Sequence, residues 1–141
     1  MIAIGSDHGG FDMKQIIIEY FKENHIEYKD MGCYDKQSCD YPIYGKAVAE
    51  AVAAGECEKG IVICTTGIGI SMAANKVKGV RAALCSEPHS AKMTRLHNDA
   101  NVLAIGGALV GKNMAIEIVE TFLNTEFSYG ENHIRRIGLL D

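Results

Sequence analysis

Cys64 stands where an apolar run meets a glycine-rich turn, in the segment Gly60-Ile61-Val62-Ile63-Cys64-Thr65-Thr66-Gly67-Ile68-Gly69-Ile70-Ser71. Residues 61–64 read as a strand, and residues 71–76 as the opening of a helix. At such a junction the backbone N–H groups are unpaired and the helix N-terminus carries partial positive charge. A loop of this kind holds an oxyanion or a phosphate. It also favours the ionised form of a cysteine placed there. One loop can therefore supply a base and an anion cradle, which points to an enzyme.

Three other groups of residues carry chemistry. Asp7 and His8, in Ser6-Asp7-His8-Gly9-Gly10, can orient substrate hydroxyls or move protons, and the glycines admit a ligand close to the backbone. Asp7 can equally cap the helix that follows. His97 and Asn98 close a helix; an imidazole there suits acid–base work near neutral pH but also simply complements the helix dipole. His133, Arg135 and Arg136 form a small basic cluster in an acidic chain. Arginine suits phosphate recognition, although terminal arginines commonly sit solvated on a helix face.

The elements that must position these residues alternate along the chain. Strands are expected at Ile2–Ser6 and residues 27–31, 60–64, 80–85 and 101–105. Helices are expected at residues 11–24, from 41–42 onward, and at 71–76, 90–98, 111–123 and 133–137. Near-continuous apolar strands alternating with helices predict an α/β class: a five-stranded parallel sheet in a three-layer α/β/α Rossmann-like domain. No linker, repeat or low-complexity tract divides the sequence, so residues 1–141 read as one domain that includes the C-terminal helical segment. Ligands in such sheets gather at the carboxyl ends of strands. Those ends carry residues 7–10, 64–69, 85–89 and the pair Gly106-Gly107.

Composition narrows the function further. With 141 residues, 48% hydrophobic and 23% charged, the chain has the balance of a globular domain. Its net charge of −4 argues against a general nucleic-acid surface. No apolar run approaches a membrane span and no signal segment opens the chain, so a cytoplasmic location is expected. The five cysteines contain no C-x-x-C pair and suggest neither a disulfide framework nor a metal site. His25 and His89 read as surface residues. Met72 occupies the third glycine position of a dinucleotide fingerprint, and no Walker A pattern is present.

Taken together, the segments resemble the ribose-5-phosphate isomerase B / galactose-6-phosphate isomerase family. The resemblance runs in order through Gly5 to Gly10, Asp40-Tyr41-Pro42, Gly60 to Ser71, Ala73-Ala74-Asn75-Lys76, Gly79 to Ala83, His97 to Asn101, and Gly130 to Ile137. It implies an aldose–ketose isomerase for a sugar phosphate, with no metal and no organic cofactor. It also implies a homodimer or homotetramer with active sites shared across the dimer. By the same resemblance, Cys64 moves a proton between C1 and C2 of an open-chain sugar, assisted by Thr66. The amides of Thr65, Thr66, Gly67, Ile68 and Gly69 stabilise the enediolate. His97 opens the sugar ring, Asn98 contacts substrate, Asp7 and His8 bind it, and Tyr41 lines the pocket. His133 and Arg136 belong to the phosphate site.

Three positions depart from the family's pattern. Thr65 replaces a glycine, Ala108 stands where arginine is common, and Asn132 replaces an arginine that precedes the histidine. Each lost charge-assisted phosphate contact costs about 1.5–3 kcal/mol. The expected result is weaker phosphate binding, a hexose phosphate, or a free sugar of the allose or galactose type. A sugar-phosphate-binding subunit without turnover is the reading from another class; Cys64, Thr66 and His97 argue against it.

Overall fold

Side-chain alternation along the strands decides how the layers form. In the computed structural model, which describes residues 1–140, β1 (Ile2–Ser6), β2 (Tyr28–Asp30), β3 (Lys59–Cys64), β4 (Ala82–Leu84) and β5 (Val102–Gly106) form one sheet. The order is β2-β1-β3-β5-β4 and every pairing is parallel. Ile61 and Ile63 point to one face, where they pack with Ile4, Leu103 and Ile105. That face is covered by α1 (Phe11–Glu23) through Ile17 and Phe21, and by α5 (Lys112–Asn124) through Ile118 and Phe122. Val62 and Cys64 point the other way, beneath α2 (Tyr41–Ala53) and α3 (Ile68–Ala74). Two further helices, α4 (Pro88–Asn98) and α6 (Glu131–Gly138), complete the chain. The expected five-stranded α/β architecture is present.

This order creates a crevice. β1 and β3 are neighbours, yet β1 leads into α1 on one face and β3 leads into α3 on the other. Chain segments leaving adjacent strands in opposite directions open a gap between them at the carboxyl edge. The segments bordering it are Asp7 to Gly10 and Thr65 to Gly67.

Several boundaries differ from those the sequence suggests. Helix α3 starts at Ile68, three residues before the expected Ser71. Gly67 adopts φ +78, a left-handed turn open to glycine, and the chain enters the helix at once despite the weak helix formers Ile68, Gly69 and Ile70. Helix α4 starts at Pro88 rather than Ser90, because the Glu87 side chain accepts the Ser90 N–H as an N-cap. Strand β4 spans only Ala82–Leu84.

One buried cation organises a surface loop. Lys14 is fully buried on the apolar side of α1, and its ammonium donates to Asp30 Oδ1 at 2.7 Å and to the Cys33 carbonyl. It also sits 5.4 Å from the Phe11 ring centre and 5.3 Å from that of Tyr34. The pairing and the rings offset the cost of removing the charge from water. The segment from Gly32 to Asp40 is thereby tied to α1.

Candidate active site

Cys64 ends β3 with only 5% of its surface exposed, at the top edge of the apolar layer beneath α2 and α3. Its sulfur is not sealed among hydrocarbons, however. The Gly67 N–H donates to Sγ at 3.1 Å. A main-chain N–H aimed at sulfur stabilises negative charge there. The next amides belong to the first turn of α3, which has no preceding turn to accept them. Ile68 N–H is the exception, since it donates to Thr66 Oγ1 at 3.2 Å and leaves the Thr66 hydroxyl proton free to donate.

The neighbouring loops converge on this turn. Gly107 N–H donates to the Cys64 carbonyl at 2.8 Å, and Ala108 N–H to the Thr65 carbonyl at 3.0 Å. Tyr41, first residue of α2, lays its ring on Gly69: a Cβ added at Gly69 would come within 2.7 Å of Tyr41 Cζ. Thr65, Thr66, Ile68 and Tyr41 are exposed and Gly69 is half-buried, so the turn presents an open shelf above the buried sulfur.

Asp7 does what the plainer expectation held for it. Its Oδ1 accepts the Gly10 N–H at 3.1 Å, capping the single 3-10 turn His8–Gly10. His8 is exposed beside it, and its Nδ1 accepts the Cys39 N–H at 3.2 Å. An accepting Nδ1 assigns the proton of the neutral ring to Nε2, which makes His8 a donor toward solvent. Nothing in the sequence announces this contact, which spans 31 positions and depends on the Lys14-anchored loop. Lys14 itself is legible: it shares a helical face with Ile17, Ile18 and Phe21, at spacings of three, four and seven.

The remaining expected residues form a second cluster elsewhere. His97 and Asn98 lie in the last turn of α4, and His133 and Arg136 lie on α6. The rings of His97 and His133 stack with centroids 4.3 Å apart and planes at 17°. A cleft of about 260 Å³ is lined by His97, Asn98, His133, Arg136, Ile137 and Leu140. The His133 imidazole is held below the ordinary histidine range, first by desolvation and then by the positive charges of His97 and Arg136. Asn132 is exposed on the first turn of α6, and Ala108 is exposed next to Thr65.

The two clusters do not meet within one chain. Arg81 donates to the carbonyls of Asn98 (2.8 Å) and Asp99 (2.9 Å), and Gly60 N–H donates to Asn101 O at 2.9 Å. These contacts fix the end of α4 at the amino edge of the sheet, where β3 and β5 begin. Cys64 pairs with Gly106 at the carboxyl edge, four residues along from the Gly60–Val102 pair. That is about 13 Å of strand. Among the described residues, no group of three His, Cys, Asp or Glu side chains is arranged to hold a metal ion. No helix among them is long and apolar enough to cross a membrane.

The family model described as Ribose/Galactose Isomerase matches residues 2–140. Ribose-5-phosphate isomerase B of Escherichia coli is 47% identical over 134 residues, covering 95% of this chain and 90% of that one. Galactose-6-phosphate isomerase subunit LacB of Clostridium acetobutylicum is 43% identical over 127 residues, covering 90% and 73% respectively. The solved structure of Clostridium thermocellum ribose-5-phosphate isomerase B superimposes with a TM-score of 0.96 at 51% identity, covering 99% of this chain and 93% of that one.

Proposed function

Because this chain belongs to the ribose/galactose isomerase family and is an isomerase of the ribose-5-phosphate isomerase B type, we propose that it interconverts ribose 5-phosphate and ribulose 5-phosphate through a cis-enediol, with Cys64 as the base. The Cys64 thiolate takes the C2 proton of the open-chain aldose. The C2–H electron pair forms the C1–C2 double bond, and the carbonyl π pair moves onto O1. The same sulfur returns the proton to C1 as the C1–C2 π pair takes it up; the O2–H pair forms the C2 carbonyl and that proton passes to O1, leaving the ketose with its C1 hydroxyl. The observation that carries this reading is the Gly67 N–H aimed at Sγ across 3.1 Å, with the free amides of the α3 terminus beside it. Those amides stabilise the enediolate oxygens, and such donors are typically worth about 3 kcal/mol each.

The other residues take the roles that the family resemblance implies, and their placement is compatible with them. Thr66 offers its hydroxyl proton to a substrate oxygen, His8 offers Nε2–H, and Tyr41 walls the shelf. Asp7 holds the His8 turn in position through Oδ1, and we assign its other carboxylate oxygen to a substrate hydroxyl. His97 opens the sugar ring and Asn98 positions it, while His133 and Arg136 hold the phosphate. The separation of these groups from Cys64 in one chain supports a shared site, in which a second copy brings its α4 and α6 to the Cys64 shelf in a homodimer. A hexose 6-phosphate is the second reading. It is favoured by the uncharged Ala108 beside Thr65 and by the likeness to the galactose-6-phosphate isomerase subunit.

Cys64→Ala tests the assignment. Exchange of the C2 proton with solvent, followed by NMR in deuterium oxide, should fall by at least about 10³-fold. Unchanged exchange with an intact circular-dichroism spectrum assigns the base elsewhere. Comparing kcat/KM for ribose 5-phosphate, allose 6-phosphate and free allose decides the sugar.

A further inference from the structure

Thr65 and Gly9 fit together across the crevice. A Cβ added at Gly9 would collide with Thr65 Oγ1 and would lie only 3.3 Å from Thr65 Cβ and N. The Thr65 side chain therefore reaches across from the end of β3 to the turn after β1 and occupies the space that Gly9 leaves empty. The β5 loop closes on the same point, through Ala108 N–H on the Thr65 carbonyl at 3.0 Å. A Cβ on Gly107 would likewise come within 3.4 Å of the Gly9 carbonyl. Three loops at the carboxyl edge thus meet at one exposed threonine, the residue directly after Cys64.

The two threonines of the turn are used differently. Thr66 Oγ1 is engaged by the Ile68 amide. Thr65 Oγ1 instead faces the Cα of Gly9, which carries no strong donor or acceptor. Thr65 is exposed and its side chain stands in the crevice, where its hydroxyl can bond a ligand and its bulk takes up room. His8 precedes Gly9 on one wall of the crevice and Cys64 precedes Thr65 on the other, so a ligand that enters the crevice beside Cys64 meets this side chain.

We propose that Thr65 is a specificity-determining residue for the isomerase reaction: its hydroxyl binds an oxygen of the substrate's carbon chain, and its bulk favours a five-carbon over a six-carbon sugar phosphate. The inference rests on the isomerase reading and adds to it a role for a side chain rather than an amide. The carbons beyond C2 carry hydroxyls at regular intervals, and a fixed donor–acceptor next to the base selects among them by register. Narrowing one wall by a threonine side chain penalises the chain that is one carbon longer.

The test compares wild type, Thr65→Ser, Thr65→Val and Thr65→Gly on ribose 5-phosphate and allose 6-phosphate. Thr65→Val keeps the volume and loses the hydroxyl; it should raise KM for ribose 5-phosphate about tenfold with little change in kcat, whereas Thr65→Ser stays within about threefold of wild type. Thr65→Gly should shift the hexose-to-pentose ratio of kcat/KM by about tenfold or more toward the hexose. Variants within about twofold of wild type on both sugars overturn the proposal. So does a loss confined to kcat and accompanied by slower alkylation of Cys64, since Thr65 would then act only through the sulfur. A wild type inactive on both sugars overturns the isomerase reading, and this one with it; an active wild type with indifferent variants overturns this one alone.

Discussion

His97 and His133 stack face to face, 4.3 Å between ring centres, although one belongs to α4 and the other to α6. Desolvation of the His133 ring disfavours its protonated form, and the charges of His97 and Arg136 beside it add to that. His133 should therefore titrate below the ordinary 6.5 in an NMR pH series, and His97→Gln or Arg136→Gln should move its midpoint upward. The sign for stability follows by linkage. A base whose folded pKa is lowered binds fewer protons folded than unfolded in the interval between the two values. Its contribution is present above 6.5 and is lost as pH falls from there through the depressed value. The melting temperature of His133→Gln should depend less on pH across that interval than wild type.

The cysteines should separate by reactivity. Burial, and secondarily the charge of Glu87, pushes the Cys85 thiol up to about 11, so at pH 7.5 it is almost wholly protonated. Burial likewise raises Cys57, with Glu56 adding to it. Iodoacetamide followed by peptide mass spectrometry should label Cys64 ahead of both, and saturating ribose 5-phosphate should protect Cys64. Faster labelling of Cys85 than of Cys64 would contradict the placement of the base.

Sharing of the site between copies has a direct test. Cys64→Ala and His97→Gln should each be inactive alone. Mixed, unfolded and refolded together, they should recover about a quarter of wild-type activity, because a shared site leaves one complete set in each mixed pair. No recovery would mean that Cys64 and His97 serve the same copy.

Lys14→Met removes the anchor of the Gly32 to Asp40 segment and leaves the Asp30 carboxylate without its partner. Breaking a buried pair by removing one member costs about 3 kcal/mol, read as a lower urea midpoint. KM should rise as well, because Cys39 no longer holds its N–H against His8 Nδ1. Lys14→Met with unaltered KM would show that this segment does not orient His8.

Much of this was legible from residue types. The apolar strands, the helical face of α1 and the glycine-rich turn after Cys64 are local signals, and each produced the element expected of it. The start of α3 was not legible, because Ile68-Gly69-Ile70 reads as strand or loop by propensity. Only the left-handed Gly67 and the packing of Ile70 beneath α2 make it helical. Asp7 offered two readings, and the one-turn cap is observed. The partition of site residues between two edges of the sheet follows from chain direction through α4, which a list of motifs conceals. Likewise, the Cys39–His8 contact joins loops that are distant in sequence, so no short pattern encodes it.

The donor that faces the sulfur is main chain. No change of side chain at position 67 deletes that donor, and only proline removes the N–H itself. Left-handed geometry restricts the position to glycine for a separate reason. Mutation therefore meets two kinds of position on this shelf. At 67 the peptide geometry is kept whole or lost, whereas at 65, 108 and 132 the side chain itself is what a substitution changes. Descendants of one ancestral gene can diversify in diet while the proton-moving step stays the same.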